Sequence, residues 1–364
     1  MRYVFTCCLL NFDTAYIFAI IFTANIKLGV IVMEKVLVTG ATGFIGLHCI
    51  QQLLDQGYQV NGTLRSMNRK DEVIESLKNH NTSVEHLSLF EADLLSDDGW
   101  DDAIAGCDYL LHVASPFVLT NESLDFFVKP AVEGATRALK FAQKHGIKKV
   151  VLTSSFAAIG DTFDGTESFD ESHWSDTTND RMSFYGVSKT LAEQAAWSYV
   201  KDNNVDFKLS VINPTAVCGP SLSKDIGISN ALVLRMLNGS MPALAKIHIG
   251  YVDVRDVAKA HILAMTNSAS DGERFIVSEK EMWLHESAKV LNDNGFKAPT
   301  KVMPTWLLKI MAMFNSDMVS ISKMAGKNRD CHSTKAKDIL GWDPIPAEES
   351  ILATAKQIKE FNLI

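Results

Sequence analysis

Val36-Leu37-Val38-Thr39-Gly40-Ala41-Thr42-Gly43-Phe44-Ile45-Gly46 reads as a buried strand, a glycine turn and the first turn of a helix. Val36, Leu37 and Val38 are apolar and mostly β-branched, which suits a strand covered on both faces. Gly40, Gly43 and Gly46 follow at a spacing of three, and Ile45, Ile50, Leu53 and Leu54 recur behind them at helical period. Such a turn aims backbone N–H groups and a helix N-terminus at one point, which favours a phosphate. Gly40 permits the tight turn, Gly43 the close approach of a pyrophosphate, and Gly46 the packing of helix on strand. A glycine triplet alone is a weak signal. A strand before it and a helix after it are the context that the signal requires. The other reading is a tight turn with no ligand. Residues expected to line a bound nucleotide here are Gly40, Thr42, Gly43, Phe44, Ile45 and Gly46.

Around this stretch lies a chain of 364 residues, 47% hydrophobic and 21% charged, with ample length for a large core. The formal net charge is -8 and no basic stripe is present, so nucleic acid is not an expected partner. Cys7, Cys8, Cys49, Cys107, Cys218 and Cys331 are scattered, with no CxxC pair and no His/Cys spacing that suits zinc. That usage fits a reduced, cytoplasmic protein without a metal. Residues 1–32 differ from the rest: they are strongly apolar, interrupted by Asp13 and Lys27. A signal peptide, a membrane anchor and an upstream extension before Met33 all compete there. Asp13 breaks the first reading, and Thr14 to Ile26 is short for a span of about 20 residues. The extension is preferred, because Met33-Glu34-Lys35 leads directly into the first strand, and a membrane is not an expected partner.

Downstream, Gly57 to Arg65 reads as a turn plus a second strand ending in Arg65, with Arg69 and Lys70 in the same short loop. A site for NAD usually carries an acid at this place, on the ribose 2′-hydroxyl. A 2′-phosphate is instead repelled by an acid and paired by arginine, so Arg65 and Lys70 point to NADP. Val84 to Phe90 reads as a third strand, followed by Asp93-Leu94, where a carboxylate can meet the adenine amino group or cap a helix. Cys107 to Ala114 reads as a fourth strand. It ends in the small residues of His112-Val113-Ala114-Ser115-Pro116, so that Val113, Ala114 and Ser115 let a cofactor lie across the strand end. His112 itself reads as a satisfied histidine beside the cofactor. Lys129 to His145 reads as a long helix, and Lys148 to Ser155 as a strand ending in hydroxyls. Strands alternating with helices at this pace specify a doubly wound parallel sheet of Rossmann type, with ligands at the carboxyl ends of its strands.

Phe184-Tyr185-Gly186-Val187-Ser188-Lys189 puts Tyr185 and Lys189 four apart, on one helical face. A phenol near pKa 10 is a poor acid–base group at neutral pH, and a nearby ammonium is expected to lower it. Carbonyl reduction needs such a tuned proton donor, together with a hydroxyl such as Ser154 or Ser155 on the carbonyl oxygen.

These stretches together resemble the extended short-chain dehydrogenases/reductases, within the NAD-dependent epimerase/dehydratase superfamily. More narrowly they are similar to the group of dihydroflavonol reductases, cinnamoyl-CoA reductases and yeast-type ketone/aldehyde reductases. The resemblance is carried by the glycine loop, by His112 to Pro116, by Thr153-Ser154-Ser155 and by Asp170 to Ser175. Tyr185 to Trp197, Asn213-Pro214-Thr215 and Val252 to Ala258 complete it. It implies NADPH, a Ser155-Tyr185-Lys189 triad, reduction of an aldehyde or ketone, and Arg65 on the 2′-phosphate. Two departures speak against a plant phenylpropanoid substrate. Gly160 stands where flavonoid reductases carry asparagine, and Arg181-Met182-Ser183-Phe184 precedes the tyrosine where cinnamoyl-CoA reductases carry Asn-Trp-Tyr.

Beyond this, Phe207 to Pro214 reads as a strand, with Pro214 as a rigid wall by the nicotinamide. The expected division is residues 1–32 as extension, 33–220 as NADP-binding Rossmann domain and 221–364 as a smaller C-terminal substrate lobe, with 250–265 returning to the Rossmann domain. Arg274 to Val277 reads as a small strand, and the methionine-rich run Trp306 to Met324 as core or pocket wall. A homodimer is the assembly carried forward. A nucleotide-sugar epimerase or sterol-type dehydrogenase, and a non-catalytic NADP-binding regulator, remain as alternatives on the same scaffold.

Overall fold

In the computed structural model, residues 33–115, 123–162, 166–179, 182–314 and 317–364 are described. The expected extension 1–32, Pro116 and Arg181 lie outside the described residues. Val36, Leu37 and Val38 sit in strand β1 (Lys35–Thr39), fully buried. Alternation sends Val36 and Val38 to one face of a sheet and Leu37 to the other, as a period of two requires. The loop from Gly40 leads into α1 (Phe44–Asp55). There follow β2 (Gln59–Leu64), α2 (Lys70–Asn79), β3 (Leu87–Glu91), α3 (Trp100–Ile104) and β4 (Tyr109–His112). Next come α4 (Leu124–Lys144), β5 (Lys149–Thr153), α5 (Ala157–Gly160), β6 (Thr166–Phe169), α6 (Phe184–Asp202) and β7 (Lys208–Pro214).

The main sheet has seven strands in the order β3-β2-β1-β4-β5-β7-β11, where β11 is Arg274–Val277. All six pairings are parallel. The chain order reverses between β1 and β4, which opens the crevice where such sheets bind ligands. One face is covered by α1, α2 and α8 (Val254–Thr266), through Ile50, Leu53, Leu77, Val257 and Ile262. The other is covered by α3, α4 and α6, through Trp100, Ala135, Leu139 and Ala196.

Several boundaries differ from the sequence reading. α4 starts at Leu124 and carries Pro130 inside it, whereas the pattern had placed its start at Lys129. Proline lacks an N–H and crowds the preceding turn, so sequence reading stops there; burial of Phe127 holds the extra turn in place. β3 begins at Leu87 rather than Val84, because the Leu87 N–H donates to the Val84 carbonyl and closes a turn. β4 ends at His112, because Val113 and Ala114 donate their N–H groups to the Thr39 hydroxyl instead of to a neighbouring strand. Arg274–Val277 is the edge strand of the main sheet, parallel to β7.

The C-terminal elements build a second layer. β8 (Ala216–Cys218), β10 (His248–Asp253) and β12 (Lys280–Trp283) form a three-stranded sheet. Of the expected return over 250–265, α8 packs on the main sheet and the strand part belongs to this smaller one. α7 (Ile228–Leu237), α9 (Leu284–Asp293) and the last helix, Ala347–Glu360, enclose its core through Val233, Leu291 and Ile351. Short strands β9 (Leu244–Ala245) and β13 (Val302–Met303) pair with each other, and β14 (Asn328–Cys331) pairs with β6. Between β13 and β14 lie α10 (Thr305–Ala312) and α11 (Asp317–Met324). This methionine-rich run is not simply core: on α10 only Leu308 is buried. Among the described residues no helix is long and apolar enough to cross a membrane.

Candidate active site

The carboxyl ends of β1, β2, β3, β4, β5 and β7 and the segments that follow them carry the residues singled out in the sequence, except Tyr185 and Lys189, which stand on α6. Gly40 adopts φ +77°, a left-handed conformation that side chains avoid, and a Cβ there would also meet Ala114 at 3.1 Å. A Cβ on Gly46 would overlap the Gly40 carbonyl oxygen. Gly46→Ala is therefore expected to cost about 1–3 kcal/mol through overpacking against backbone. A lower midpoint in urea unfolding checks it, and an unchanged midpoint would show that the loop yields.

Gly43 is the N-cap of α1, and no side chain caps this helix and no acid stands in its first turn. The N–H groups at its start are thus presented without a side chain over them, next to Thr42, Phe44 and Ile45. Arg65, Arg69 and Lys70 are exposed after β2, Arg65 next to the strand end, Arg69 closing the single turn Met67–Arg69 and Lys70 opening α2. Arg69, given least weight in the sequence, is the one tied to the glycine loop: its Nη1 donates to Thr42 Oγ1 at 3.1 Å. Glu72 fixes it by two further hydrogen bonds, at 2.8 and 2.7 Å. An uncapped helix start with the Arg69 guanidinium held at the adjoining Thr42 fits a phosphorylated dinucleotide such as NADP.

Asp93 and Leu94 follow β3 by two residues. Asp93 Oδ1 accepts from the Leu95 N–H at 2.7 Å and closes a local turn; the N-cap of α3 is Gly99, not Asp93. Leu94 packs on α4, where a Cβ on Gly134 would meet it at 3.0 Å. Thr39, which the sequence reading passed over, organises the β4 end. Its Oγ1 accepts from the N–H groups of Val113 and Ala114, both at 3.0 Å, and lies 3.0 Å from His112 Nδ1. With both lone pairs used, the hydroxyl proton goes to Nδ1. His112 is buried, and burial pushes its pKa down to about 3, so the ring is neutral and structural. A small cavity of about 20 Å³ lies among His112, Ala114, Ser115, Thr153 and Lys189. A larger one, of about 250 Å³, is lined by Trp174, Arg274 and Lys335 and contains none of the expected site residues.

Tyr185 stands in the first turn of α6, whose N-cap Ser183 accepts from the Gly186 N–H at 3.0 Å. Asp161 accepts from the Ser183 hydroxyl at 3.2 Å, and a Cβ on Gly186 would overlap its carboxylate. Tyr185 is hydrogen-bonded to the Ser155 side chain. Ser154, the other candidate hydroxyl, turns away and donates to Glu193 Oε2 at 2.5 Å. The structure thus separates the two serines.

Lys189 is buried one turn beyond Tyr185, with Nζ 6.0 Å from the tyrosine ring centroid and donating to the Thr153 carbonyl at 3.2 Å. Burial lowers its pKa to about 8, against the attraction of Glu193. The Tyr185 phenol differs from expectation. Burial raises its pKa, the Ser155 hydrogen bond offsets part of this, and the Asp161 charge adds to it. The lowering expected from Lys189 is not among the influences on the phenol: loss of hydration is the largest of them, and what relief there is comes from Ser155.

Glu193, one turn further, is the residue that sequence reasoning missed. Its carboxylate is fully buried, yet it receives Ser154, Asn213 Nδ2 at 2.8 Å, Trp197 Nε1 at 3.3 Å and Arg274 Nε at 2.5 Å. Asn213 also donates to the Ser155 carbonyl at 3.2 Å, and Phe156 N donates to the Pro214 carbonyl at 2.9 Å. Ser155 is thereby fixed from both sides by β7.

The model of the NAD dependent epimerase/dehydratase family matches residues 36–278. The chain is 34% identical over 334 residues to a cinnamoyl-CoA reductase of Medicago truncatula, covering 89% of this chain and 95% of that one. It is 35% identical over 284 residues to a bifunctional dihydroflavonol 4-reductase/flavanone 4-reductase of Pyrus communis, covering 74% and 79%. Among solved structures it is similar to the yeast methylglyoxal/isovaleraldehyde reductase Gre2 complexed with NADPH. That likeness has TM-score 0.76 and 29% identity, covering 90% of this chain and 99% of the other.

Proposed function

We propose that this chain, which belongs to the NAD dependent epimerase/dehydratase family, is an NADPH-dependent reductase of a small aldehyde or ketone. The observation that carries the reading is the hydrogen bond between Tyr185 and Ser155 at the carboxyl edge of the sheet, one helical turn from buried Lys189. The similarity to reductases along nearly the whole chain supports it. NADPH would supply the hydride. The residues that would hold it are Gly40, Thr42, Gly43, Phe44, Ile45 and Gly46 at the pyrophosphate and Arg65 with Lys70 at the 2′-phosphate. Asp93 and Leu94 would meet the adenine, and Val113, Ala114, Ser115 and Pro214 the remainder. Ser155 donates a hydrogen bond to the carbonyl oxygen and polarises it. Tyr185 delivers the proton to the developing alkoxide. A raised phenol pKa suits this direction, since it keeps the proton on Tyr185 until a stronger base forms beside it. Lys189 is the positive charge that stabilises the tyrosinate left behind.

The reading places the enzyme in the cytoplasm, where the buried free thiols Cys49, Cys107, Cys218 and Cys331 stay reduced, and carries a homodimer as its assembly. NADPH oxidation across a panel of aldehydes and ketones tests the function, and no oxidation with any of them overturns it. For the cofactor, Arg65→Glu is expected to lower the ratio of NADPH to NADH efficiency by about 10- to 100-fold, the value of one charge-assisted hydrogen bond. An unmoved ratio would shift the 2′-phosphate role to Arg69.

A further inference from the structure

Helix α10 is apolar on two opposite faces. Leu308 is 2% exposed and packs against Ala245, Ile247 and Ala325. Trp306 and Ile310, four apart on α10, are exposed while Leu308 between them is buried, and Met313 and Phe314 continue the exposed apolar run in the turn that follows the helix. Trp306, Ile310, Met313 and Phe314 are 64%, 45%, 77% and 85% exposed. An amphipathic helix normally turns its apolar residues to the core and polar ones to water. Here the outer stripe joins the largest concentration of exposed apolar side chains among the described residues. Contiguous exposed apolar area of this kind marks a contact surface.

The charge around it identifies the partner. The whole chain carries -8, yet residues 296–328 hold five lysines, Lys297, Lys301, Lys309, Lys323 and Lys327, against one acid, Asp317. Lys301 and Lys309 are exposed beside the stripe. A second copy of this chain seated face to face on the patch would bring lysine against lysine, which disfavours it. An anionic bilayer meets both requirements. Its headgroups attract the lysines, and its interfacial region takes tryptophan, phenylalanine and aliphatic side chains. No described helix can span a bilayer, so the contact is with the surface. We propose that Trp306, Ile310, Met313 and Phe314, flanked by Lys301 and Lys309, dock this protein peripherally on anionic membranes.

The test is co-sedimentation of the full chain with phosphatidylcholine vesicles prepared with and without phosphatidylserine. The protein is expected to sediment with the anionic vesicles, more weakly with the neutral ones, and less as salt is raised. Trp306→Ser combined with Phe314→Ser is expected to reduce partitioning at least about tenfold on both vesicle types. Lys309→Glu is expected to reduce it on anionic vesicles alone. Neither variant touches the proposed site, so unchanged carbonyl reduction in solution reports that the fold is intact. Three results overturn the proposal: absence of the parent protein from the anionic pellet, partitioning of the Trp306/Phe314 variant equal to the parent's, or a halved solution mass in that variant. The last would show that a second copy covers the face.

Discussion

Tyr185→Phe is expected to lower kcat by about 10²- to 10⁴-fold, the usual contribution of a positioned general acid. The change removes one oxygen and keeps the ring, so the packing of α6 is retained. What disappears is the proton donor to the alkoxide, together with the hydrogen bond to Ser155. The glycine loop and Arg65 are untouched, so NADPH affinity is expected to stay within a few-fold. Single-turnover reduction and a fluorescence titration with NADPH separate the two quantities. Turnover within tenfold of the parent would sink the assignment of Tyr185.

The second large effect is on stability. Glu193→Ala is expected to cost about 3–5 kcal/mol, because it strands the 8%-exposed Arg274 guanidinium without its carboxylate. Arg274 Nη1 would keep its bonds to the carbonyls of Glu171 and His173, both at 2.8 Å, and its plane would still lie 3.8 Å from the Trp174 ring centroid. None of these neutralises a buried charge. Ser154 and Asn213 would lose their acceptor at the same time. Urea unfolding reads the loss. A double variant, Glu193→Leu with Arg274→Met, is expected to be more stable than Glu193→Ala, because it removes both charges together. If the double variant were the less stable of the two, the pair would be contributing more than mutual neutralisation.

The parts of the molecule legible in the sequence are those written in neighbouring residues. The strand, glycine turn and helix of 36–55 announce themselves through local period and φ requirements, and Tyr185 and Lys189 through one helical turn. Glu193 was in view on that same helix, but its meaning depends on Arg274, eighty-one positions later, and on Ser154, thirty-nine earlier. Periodicity carries no information about such pairs. Thr39 was hidden for a related reason, since its partners His112, Val113 and Ala114 arrive only when β1 and β4 lie side by side. Local residues leave Ser154 and Ser155 equivalent and only the family resemblance points to Ser155; what distinguishes them physically is the bond of Ser154 to Glu193, a contact that no local pattern reports. The sign of the Tyr185 shift was misjudged because lysine is visible in sequence and desolvation is not.

The position of β11 at the sheet edge has a consequence for how the chain comes off the ribosome. The nucleotide-binding sheet looks finished at Pro214, but its outermost strand is Arg274–Val277, and Ala336, Leu340 and Trp342 still have to cover one of its faces. Trp342 Nε1 then donates to the Asp256 carbonyl at 2.9 Å, pinning the late segment to α8. Until those residues are synthesised, β7 exposes an unpaired edge and part of the core is open to water. Release of the first 220 residues as a fragment therefore yields an adhesive intermediate rather than a small folded domain, and productive folding waits for nearly the whole polypeptide.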